Sequence, residues 1–167
     1  IAKKNKKLLY QTSFLLFLHF NLLNTSMNIS FPYPLATVGG LIYNSKNEIL
    51  LVKTHKWQHL YSVPGGKISY GETMHDAFRR EVKEETNLDI YDIRFVCIQD
   101  CIHHKEFYQK KHFLLINFVA YTTSETVILN EEAYEYRWID IKDSLKLPLN
   151  EPTRFLIHEI LKMNLKI

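Results

Sequence analysis

The stretch that most constrains the fold is residues 65–88, GGKISYGETMHDAFRREVKEETNL, because its second half concentrates negative charge on one helix face. The pattern predicts a helix over residues 73–86, and a helix turns about 100° per residue. Glu81, Glu84 and Glu85 then share one narrow face, where each like-charged pair costs about 0.2–0.5 kcal/mol in water. The fold must either leave this face in water or place positive charge beside it.

Both ends of this helix carry local signals. Thr73 is expected as the N-cap, with Asp76 as its capping-box partner. Asn87 stands where a left-handed C-cap residue belongs, a position that usually takes Gly but tolerates Asn. Phe78 and Val82 form an adjoining stripe that can enter a core.

The rest of the chain mixes strands and helices. Apolar runs predict strands at 36–43, 48–54, 60–63, 93–102, 112–122 and 134–139. Pro64, Gly65 and Gly66 predict a turn or loop. A helical turn is expected at 141–145, and a closing amphipathic helix over 152–163 is indicated by Phe155, Leu156, Ile160 and Leu161. Because strands and helices do not alternate strictly, the predicted class is α+β, with helices layered on a sheet.

Composition and charge limit the classes of function. The chain has 167 residues, 46% of them hydrophobic, which suits a single compact domain, expected over residues 28–167. The formal net charge is +3, but residues 1–27 contain four lysines and no acidic residue, which leaves −1 for the remainder. That balance disfavours a general nucleic-acid-binding surface, so no DNA partner is expected.

Residues 1–27 form a leader in which a basic start precedes an apolar run. Three interpretations stay open: upstream or artificial sequence with Met27 as the natural start, a membrane or export signal, and a packed helix. No membrane partner is expected unless the leader is native. Cys97 and Cys101 would lie about 13 Å apart on one strand face, too far for a disulfide, which fits a reducing, cytoplasmic location.

The carboxylate face has two interpretations. It is either a solvated acidic surface or a set of oxygen ligands for a hard divalent cation. Gly65 and Gly66 favour the second, since glycine lets backbone approach the same place without side chains in the way. Phosphate-bearing substrates are the usual partners of such cation sites.

Residues 66–88 resemble the signature of the Nudix (MutT-type) hydrolase family. That signature reads Gly, five residues, Glu, seven residues, Arg-Glu, an aliphatic residue, any residue, Glu-Glu, any residue, Gly and an aliphatic residue. The chain supplies Gly66, Glu72, Arg80, Glu81, Val82, Glu84, Glu85 and Leu88, and departs from the pattern at Asn87 alone. The resemblance extends more loosely over residues 33–165.

The resemblance implies a Nudix-type α/β/α sandwich with a mixed central sheet. It also implies metal-dependent hydrolysis of a pyrophosphate bond in a nucleoside diphosphate linked to another moiety. The substrate would be a nucleoside triphosphate, oxidised or not, or a nucleotide sugar. Two alternatives stay open, a non-catalytic nucleotide-sensing module and an RNA 5′-end pyrophosphohydrolase. Relatives are often dimers, so a homodimer is an expectation.

By similarity, most site residues fall within the signature. Mg²⁺ or Mn²⁺ would be held by Glu81, Glu84, Glu85 and a carbonyl of Gly65 or Gly66. Glu72 would support this shell, and Arg80 would orient a carboxylate. The general base is expected to be Glu132, with Glu131 second, or a helix glutamate, Glu81 or Glu85, in a double role; a plain surface loop is the alternative for Glu132.

Residues for substrate binding are harder to choose. Lys53 and His55 leave the second strand and are candidates to meet phosphate, with a solvated strand end as the alternative. Aromatic side chains that could stack on a base are Phe31, Tyr33, Tyr61, Phe107 and Tyr108, and packing is the alternative for each. His103, His104 and His112 match no zinc-ligand spacing and are expected as exposed residues.

Overall fold

The structure, a computed structural model, describes residues 33–163. The chain divides into two units, residues 1–33 and 34–167. The second unit contains β1 (Leu35–Tyr43), β2 (Glu48–Thr54), β3 (Tyr61–Ser62), β4 (Gly65–Lys67), α1 (Met74–Thr86), β5 (Tyr91–Ile102), β6 (His112–Tyr121), β7 (Ala133–Asp140), α2 (Ile141–Ser144) and α3 (Glu151–Lys162). A 3₁₀ turn, His55–Trp57, follows β2. The leader and Phe31 lie outside the described residues.

One mixed sheet organises this unit. Its strands run in the order β3-β2-β1-β6-β5, with β4 paired to β1 and β7 paired to β2. The parallel pair β1 and β6 lies at its centre, and the other pairings are antiparallel. The mixed sheet confirms the predicted α+β class.

Hydrophobic clusters lie on both faces of the sheet. On one face Phe78 and Val82 of α1 pack with sheet residues such as Phe118. On the other face Leu156 and Ile157 of α3 pack with a second set of strand side chains. The sheet therefore lies between two helical layers, which confirms the α/β/α arrangement.

Two details of the sequence prediction are wrong. Gly65 and Gly66, expected in a turn, belong to β4 and pair with Gly39 and Val38 of β1. Strand pairing is open to them because they bring no side chain into the narrow space beside β1. Phe155, expected in the core, is 46% exposed, since the buried stripe of α3 runs through its neighbours: Thr153, Leu156, Ile157 and Ile160.

The caps of α1 are confirmed. The Thr73 hydroxyl accepts a hydrogen bond from the backbone N–H of Asp76 at 3.2 Å. Asn87 adopts the left-handed conformation with φ of 59°, and its N–H donates to the carbonyl of Lys83 at 2.9 Å. These caps fix where the carboxylate helix begins and ends.

No helix in the described part of the chain is a candidate membrane span. None of the helices within residues 33–163 combines the length and the apolar character that crossing a bilayer requires.

Asn87 provides a test of the C-cap. We expect Asn87→Gly to stabilise the protein slightly, because a Cβ is strained in the left-handed region. Asn87→Ala should destabilise it by about 1 kcal/mol, because alanine keeps the Cβ but lacks the polar group that makes this conformation tolerable for Asn. Asn87 is exposed, so packing changes little. Urea unfolding of the three proteins measures the effect, and equal stability of the Gly and Ala variants would contradict this account of the helix end.

Candidate active site

The site is built where α1 crosses the glycine strand β4. The backbone N–H of Gly65 donates to Oε2 of Glu85 at 3.0 Å. Gly65 has φ of +152°, and a Cβ there would lie 2.1 Å from the carbonyl oxygen of Val38. Glycine is therefore required for β4 to pair with β1 and still reach the helix.

Gly66 makes room for a second carboxylate. A Cβ on Gly66 would lie 2.2 Å from Oε2 of Glu81, so the Glu81 side chain rests against the bare α-carbon. Two helix carboxylates, Glu81 and Glu85, thus meet the backbone of β4 at consecutive residues. The sequence suggested that these glycines would let backbone approach the site. In the structure they let the helix carboxylates approach the backbone instead.

Arg80 holds the outer carboxylates of the cluster. Its Nε and Nη2 bind the two oxygens of Glu72 at 2.8 and 2.9 Å. Its Nη1 donates to Glu81 at 2.8 Å and to Glu84 at 3.2 Å, and Nη2 also donates to the carbonyl of Lys67 at 3.0 Å. Arg80 therefore satisfies three carboxylates in one planar group, as a guanidinium can and an ammonium cannot.

The hydrogen bonds from Arg80 shift the pKa of Glu72. Together with the backbone N–H of Ser69, they lower the pKa of Glu72 to about 2. The same bonds, to Glu72 first and to Glu81 second, raise the pKa of Arg80. The Arg80–Glu72 pair is therefore fully charged across the range in which the protein is handled.

Glu85 has the opposite electrostatic environment. It is only 6% exposed. Burial raises its pKa from 4.5 to about 8, the charges of Glu81 and Glu132 act in the same direction, and the Gly65 hydrogen bond and Lys56 oppose it. The described residues thus leave a carboxylate inside the protein with little positive charge beside it.

A cavity of about 360 Å³ opens beside this cluster. Glu81, Gly65 and Gly66 line it, and so does Glu132, which lies just before β7. Glu132 is paired with the ammonium of Lys56, which also lines the cavity. The structure therefore brings Glu132 to the signature residues, although more than forty positions separate them in the sequence.

An aromatic wall closes another side of the cavity. The ring centroids of Trp57 and Phe107 are 4.8 Å apart, and Tyr108 stands beside Phe107 at 4.9 Å. The N–H of Tyr108 donates to the carbonyl of Lys56 at 3.0 Å, so the 3₁₀ turn and the β5–β6 loop support each other. Phe107 and Tyr108 were sequence candidates, whereas Lys56 and Trp57 were missed.

Polar residues at the floor of the cavity were also missed. Asn117 of β6 and Asn150, the N-cap of α3, are buried and line the cavity. The Asn150 side chain accepts from the N–H of Thr153 at 2.9 Å. An Asn on an apolar strand was the one available signal, since a buried amide needs hydrogen-bond partners.

Three residues predicted to bind substrate are outside the cavity lining. Tyr61 is 2% exposed and donates from its hydroxyl to Glu135. Lys53 binds Glu135 at 3.0 Å and lies 4.8 Å from the centroid of the Tyr61 ring. His55 stacks on Tyr134, with centroids 4.8 Å apart. The contacts of these three side chains are those of structural packing.

Two other predicted residues have no assigned place in this site. Tyr33 belongs to the unit of residues 1–33, and its role in binding stays a prediction. Glu131 is exposed and next to Glu132, but it is not among the residues that line the cavity.

The donors fit a hard divalent cation in chemistry. Within residues 33–163, no three His, Cys, Asp or Glu side chains are gathered closely enough to hold an ion. Glu84 in particular is 57% exposed and bonded to Arg80. Yet Glu85, buried with a raised pKa beside Glu81 and bare glycine backbone, is the kind of carboxylate that a bound cation would stabilise. The residues present therefore suit the predicted Mg²⁺ or Mn²⁺.

Comparison with known proteins agrees with this geometry. The family model for the NUDIX domain matches residues 34–159. The chain is similar to an 8-oxo-dGTP diphosphatase of Buchnera aphidicola, subspecies Schizaphis graminum, with 32% identity over 71% of this chain and 87% of that protein. It is also similar to an NAD-capped RNA hydrolase of Pseudomonas syringae, with 30% identity over 69% of this chain but only 40% of that protein. Among solved structures, a MutT protein of Methanosarcina mazei Go1 has a TM-score of 0.67 and 25% identity, covering 82% of this chain and all of that one.

The raised pKa of Glu85 predicts a pH dependence of stability. The folded protein holds this proton more tightly than the unfolded chain, so the contribution is complete below about pH 4.5 and is lost as the pH rises through about 8. In metal-free protein, Glu85→Gln should remove this loss. We expect the variant to melt several degrees above the wild type at pH 9, since about 1 kcal/mol shifts Tm by roughly 2–4 °C at this size.

Thermal melts in EDTA between pH 5 and pH 9 measure this difference. Other titrating groups are common to both proteins, so only the gap between the two curves reports on Glu85. Parallel curves would show that the buried carboxylate carries no penalty.

Proposed function

The chain belongs to the Nudix hydrolase family, and from this premise we propose that it hydrolyses the pyrophosphate bond of a free nucleotide with the help of Mg²⁺ or Mn²⁺. The observation that carries the proposal is the meeting of Glu81 and Glu85 at Gly65 and Gly66, beside a cavity that Glu132 also lines. A nucleotide phosphate chain in this cavity would lie against the carboxylate cluster.

The proposed cation ligands are Glu81, Glu84 and Glu85 with a carbonyl of Gly65 or Gly66. When bound, the cation would neutralise phosphate charge and lower the pKa of the attacking water. Its binding requires Glu84 to leave Arg80, a half-exposed contact at 3.2 Å that costs little to break.

Glu132 is the proposed general base. It lines the same cavity as Gly65 and Gly66 and carries a carboxylate that can accept a proton from water. Water attacks a phosphorus of the pyrophosphate linkage, the bridging P–O bond breaks, and the leaving phosphate group departs with that oxygen. The proton released from the water goes to Glu132.

Arg80 has a positioning role in this proposal. All of its N–H donors that make contacts serve Glu72, Glu81, Glu84 and the carbonyl of Lys67, so it is committed to the carboxylates rather than to substrate. A rigid arginine of this kind keeps the ligand oxygens oriented before the cation arrives.

A nucleoside triphosphate, including an oxidised purine triphosphate, is the proposed substrate class. The support is the 8-oxo-dGTP diphosphatase relative, of which the alignment covers 87%. A cavity of about 360 Å³ with an aromatic wall and two buried amides also suits a single nucleotide, since apolar faces stack on a base and amides can read its edge.

A panel of nucleotides tests the function. The protein should release monophosphate from one or more nucleoside triphosphates in Mg²⁺, with 8-oxo-dGTP, dGTP, ADP-ribose, a nucleotide sugar and NAD-capped RNA compared side by side. Glu84→Gln should lower kcat by about 100-fold, the order expected when one preorganised electrostatic contact is lost.

The matched control for this experiment is Glu125→Gln. Glu125 is also an exposed glutamate in an ion pair, with Lys46 at 2.7 Å, but it does not belong to the carboxylate cluster that Arg80 holds together. Its variant should retain wild-type turnover. Absence of turnover on the whole panel, or equal turnover in Glu84→Gln, would refute the proposal.

Arg80→Lys tests the positioning role. A lysine keeps the charge but cannot bind both Glu72 oxygens while also reaching Glu81, so we expect kcat to fall about 10–100-fold. The Mg²⁺ concentration for half-maximal rate should rise in parallel, which a general loss of folding would not produce. Steady-state kinetics at several Mg²⁺ concentrations gives both values, and a wild-type Mg²⁺ dependence would count against this role.

A further inference from the structure

An ion pair inside the cavity has no role in the function proposed so far. The Lys56 ammonium binds the Glu132 carboxylate, and the two side chains are 43% and 42% exposed. Lys56 comes from the 3₁₀ turn after β2 and Glu132 from the loop before β7. The ion pair therefore joins two segments that are 76 residues apart in the sequence. Both line the cavity in which the nucleotide would lie.

Hydrogen bonds fix the backbone of Lys56, whereas the ammonium group at the end of its side chain can move. Its carbonyl accepts a hydrogen bond from the N–H of Tyr108 at 3.0 Å. The side chain of Gln58, which caps the end of the turn, donates to the carbonyl of Lys105 at 2.9 Å. These bonds fix the turn against the β5–β6 loop. The four-carbon side chain can still move its ammonium between partners a few ångströms apart.

Lys56 also lies close to the carboxylate cluster, since it lines the same cavity as Glu81. Arg80 already serves three carboxylates and one carbonyl. Lys67 and Lys111 also line the cavity, but among the described residues neither has a carboxylate within ion-pair distance. Lys56 is therefore the cation near these carboxylates that has a single partner among the described residues and can exchange it.

We propose that Lys56 is an exchangeable partner: it neutralises Glu132 in the empty site and moves to the phosphate chain when a nucleotide binds. The move leaves the Glu132 carboxylate without its ammonium partner and able to accept a proton from water. This inference rests on the proposed function, because it assumes that a nucleotide phosphate enters the cavity.

The exchange is inexpensive in free energy. A half-exposed Lys–Glu pair contributes little to stability, because solvent screens it. A phosphate group offers more negative charge and more acceptor oxygens than a carboxylate, so Lys56 gains by moving. Glu132 and the substrate thus compete for one ammonium group.

Competition makes a specific prediction about two variants. The ligand is a nucleoside 5′-triphosphate that resists hydrolysis because a methylene group links its α- and β-phosphorus atoms. Calorimetry in the presence of Mg²⁺ gives its Kd. Lys56→Met should weaken binding about tenfold, the cost of one hydrogen bond to a charged group. Glu132→Gln should tighten binding about threefold, because the ammonium no longer has to leave a carboxylate.

The double variant distinguishes exchange from two independent effects. In the Lys56→Met background, Glu132→Gln should leave Kd unchanged, since no ammonium remains to be released. Steady-state kinetics should agree, with Lys56→Met raising KM about tenfold while kcat stays within about twofold. Lys56→Arg, which keeps the charge, should restore most of the affinity.

Lys46→Met is the matched control, because Lys46 also pairs with a distant glutamate, Glu125 at 2.7 Å, but away from the cavity. It should leave Kd and KM as in the wild type, and thermal melts confirm that every variant folds. An unchanged Kd in Lys56→Met, or the same effect of Glu132→Gln in both backgrounds, overturns the exchange while turnover by the wild type upholds the proposed function. A wild type that neither binds nor hydrolyses any nucleotide overturns both.

Discussion

The close approach of α1 to the glycine strand β4 is the constraint on which the rest of the site depends. Carboxylates are costly to bury, and Glu81 and Glu85 reach the interior only because Gly65 and Gly66 offer bare backbone and one N–H donor. A side chain at Gly65 would clash with the backbone of β1, and one at Gly66 would displace the Glu81 carboxylate. The same two residues also pair with β1, so the central sheet and the charged cluster are fixed by one piece of chain.

This arrangement places the acidic residues of α1 and of the loop before it in two different electrostatic environments. Arg80 keeps Glu72 charged by lowering its pKa to about 2, and it binds the outward oxygens of Glu81 and Glu84. Glu85 faces inward, where burial raises its pKa to about 8. Repulsion within the cluster is therefore relieved on its outer side by the protein itself. On the inner side it is left unrelieved, which is the condition for binding a cation there rather than in solvent.

The sequence predicted the parts of the molecule that depend on local chemistry. The caps at Thr73 and Asn87 follow from the conformations that those side chains favour, and the shared face of the glutamates follows from helix geometry. The role of Gly65 and Gly66 as strand residues was missed, because turn propensity is local whereas pairing with β1 depends on a distant segment. Tyr61 was a candidate for stacking on a base, with packing as the alternative, and its side chain belongs to the second core, where Glu135 satisfies its hydroxyl.

Glu132 was expected from the family resemblance, and Phe107 and Tyr108 were candidates for stacking, but the rest of the cavity walls could not be predicted, for a further reason. Lys56 and Trp57, the β5–β6 loop, Glu132 and Asn150 come from four segments that only the folded sheet brings together. None of these segments carries a pattern that depends on the others, so nothing in the sequence links them. The proposed cation ligands therefore lie close together in the sequence, on α1 and the glycine strand. The residues proposed to recognise the substrate lie on surrounding loops, which can change without disturbing that segment. Relatives that bear names as different as an 8-oxo-dGTP diphosphatase and an NAD-capped RNA hydrolase are what this separation leads one to expect. Differences in substrate among such proteins should therefore follow the loops that form the cavity walls, and not α1.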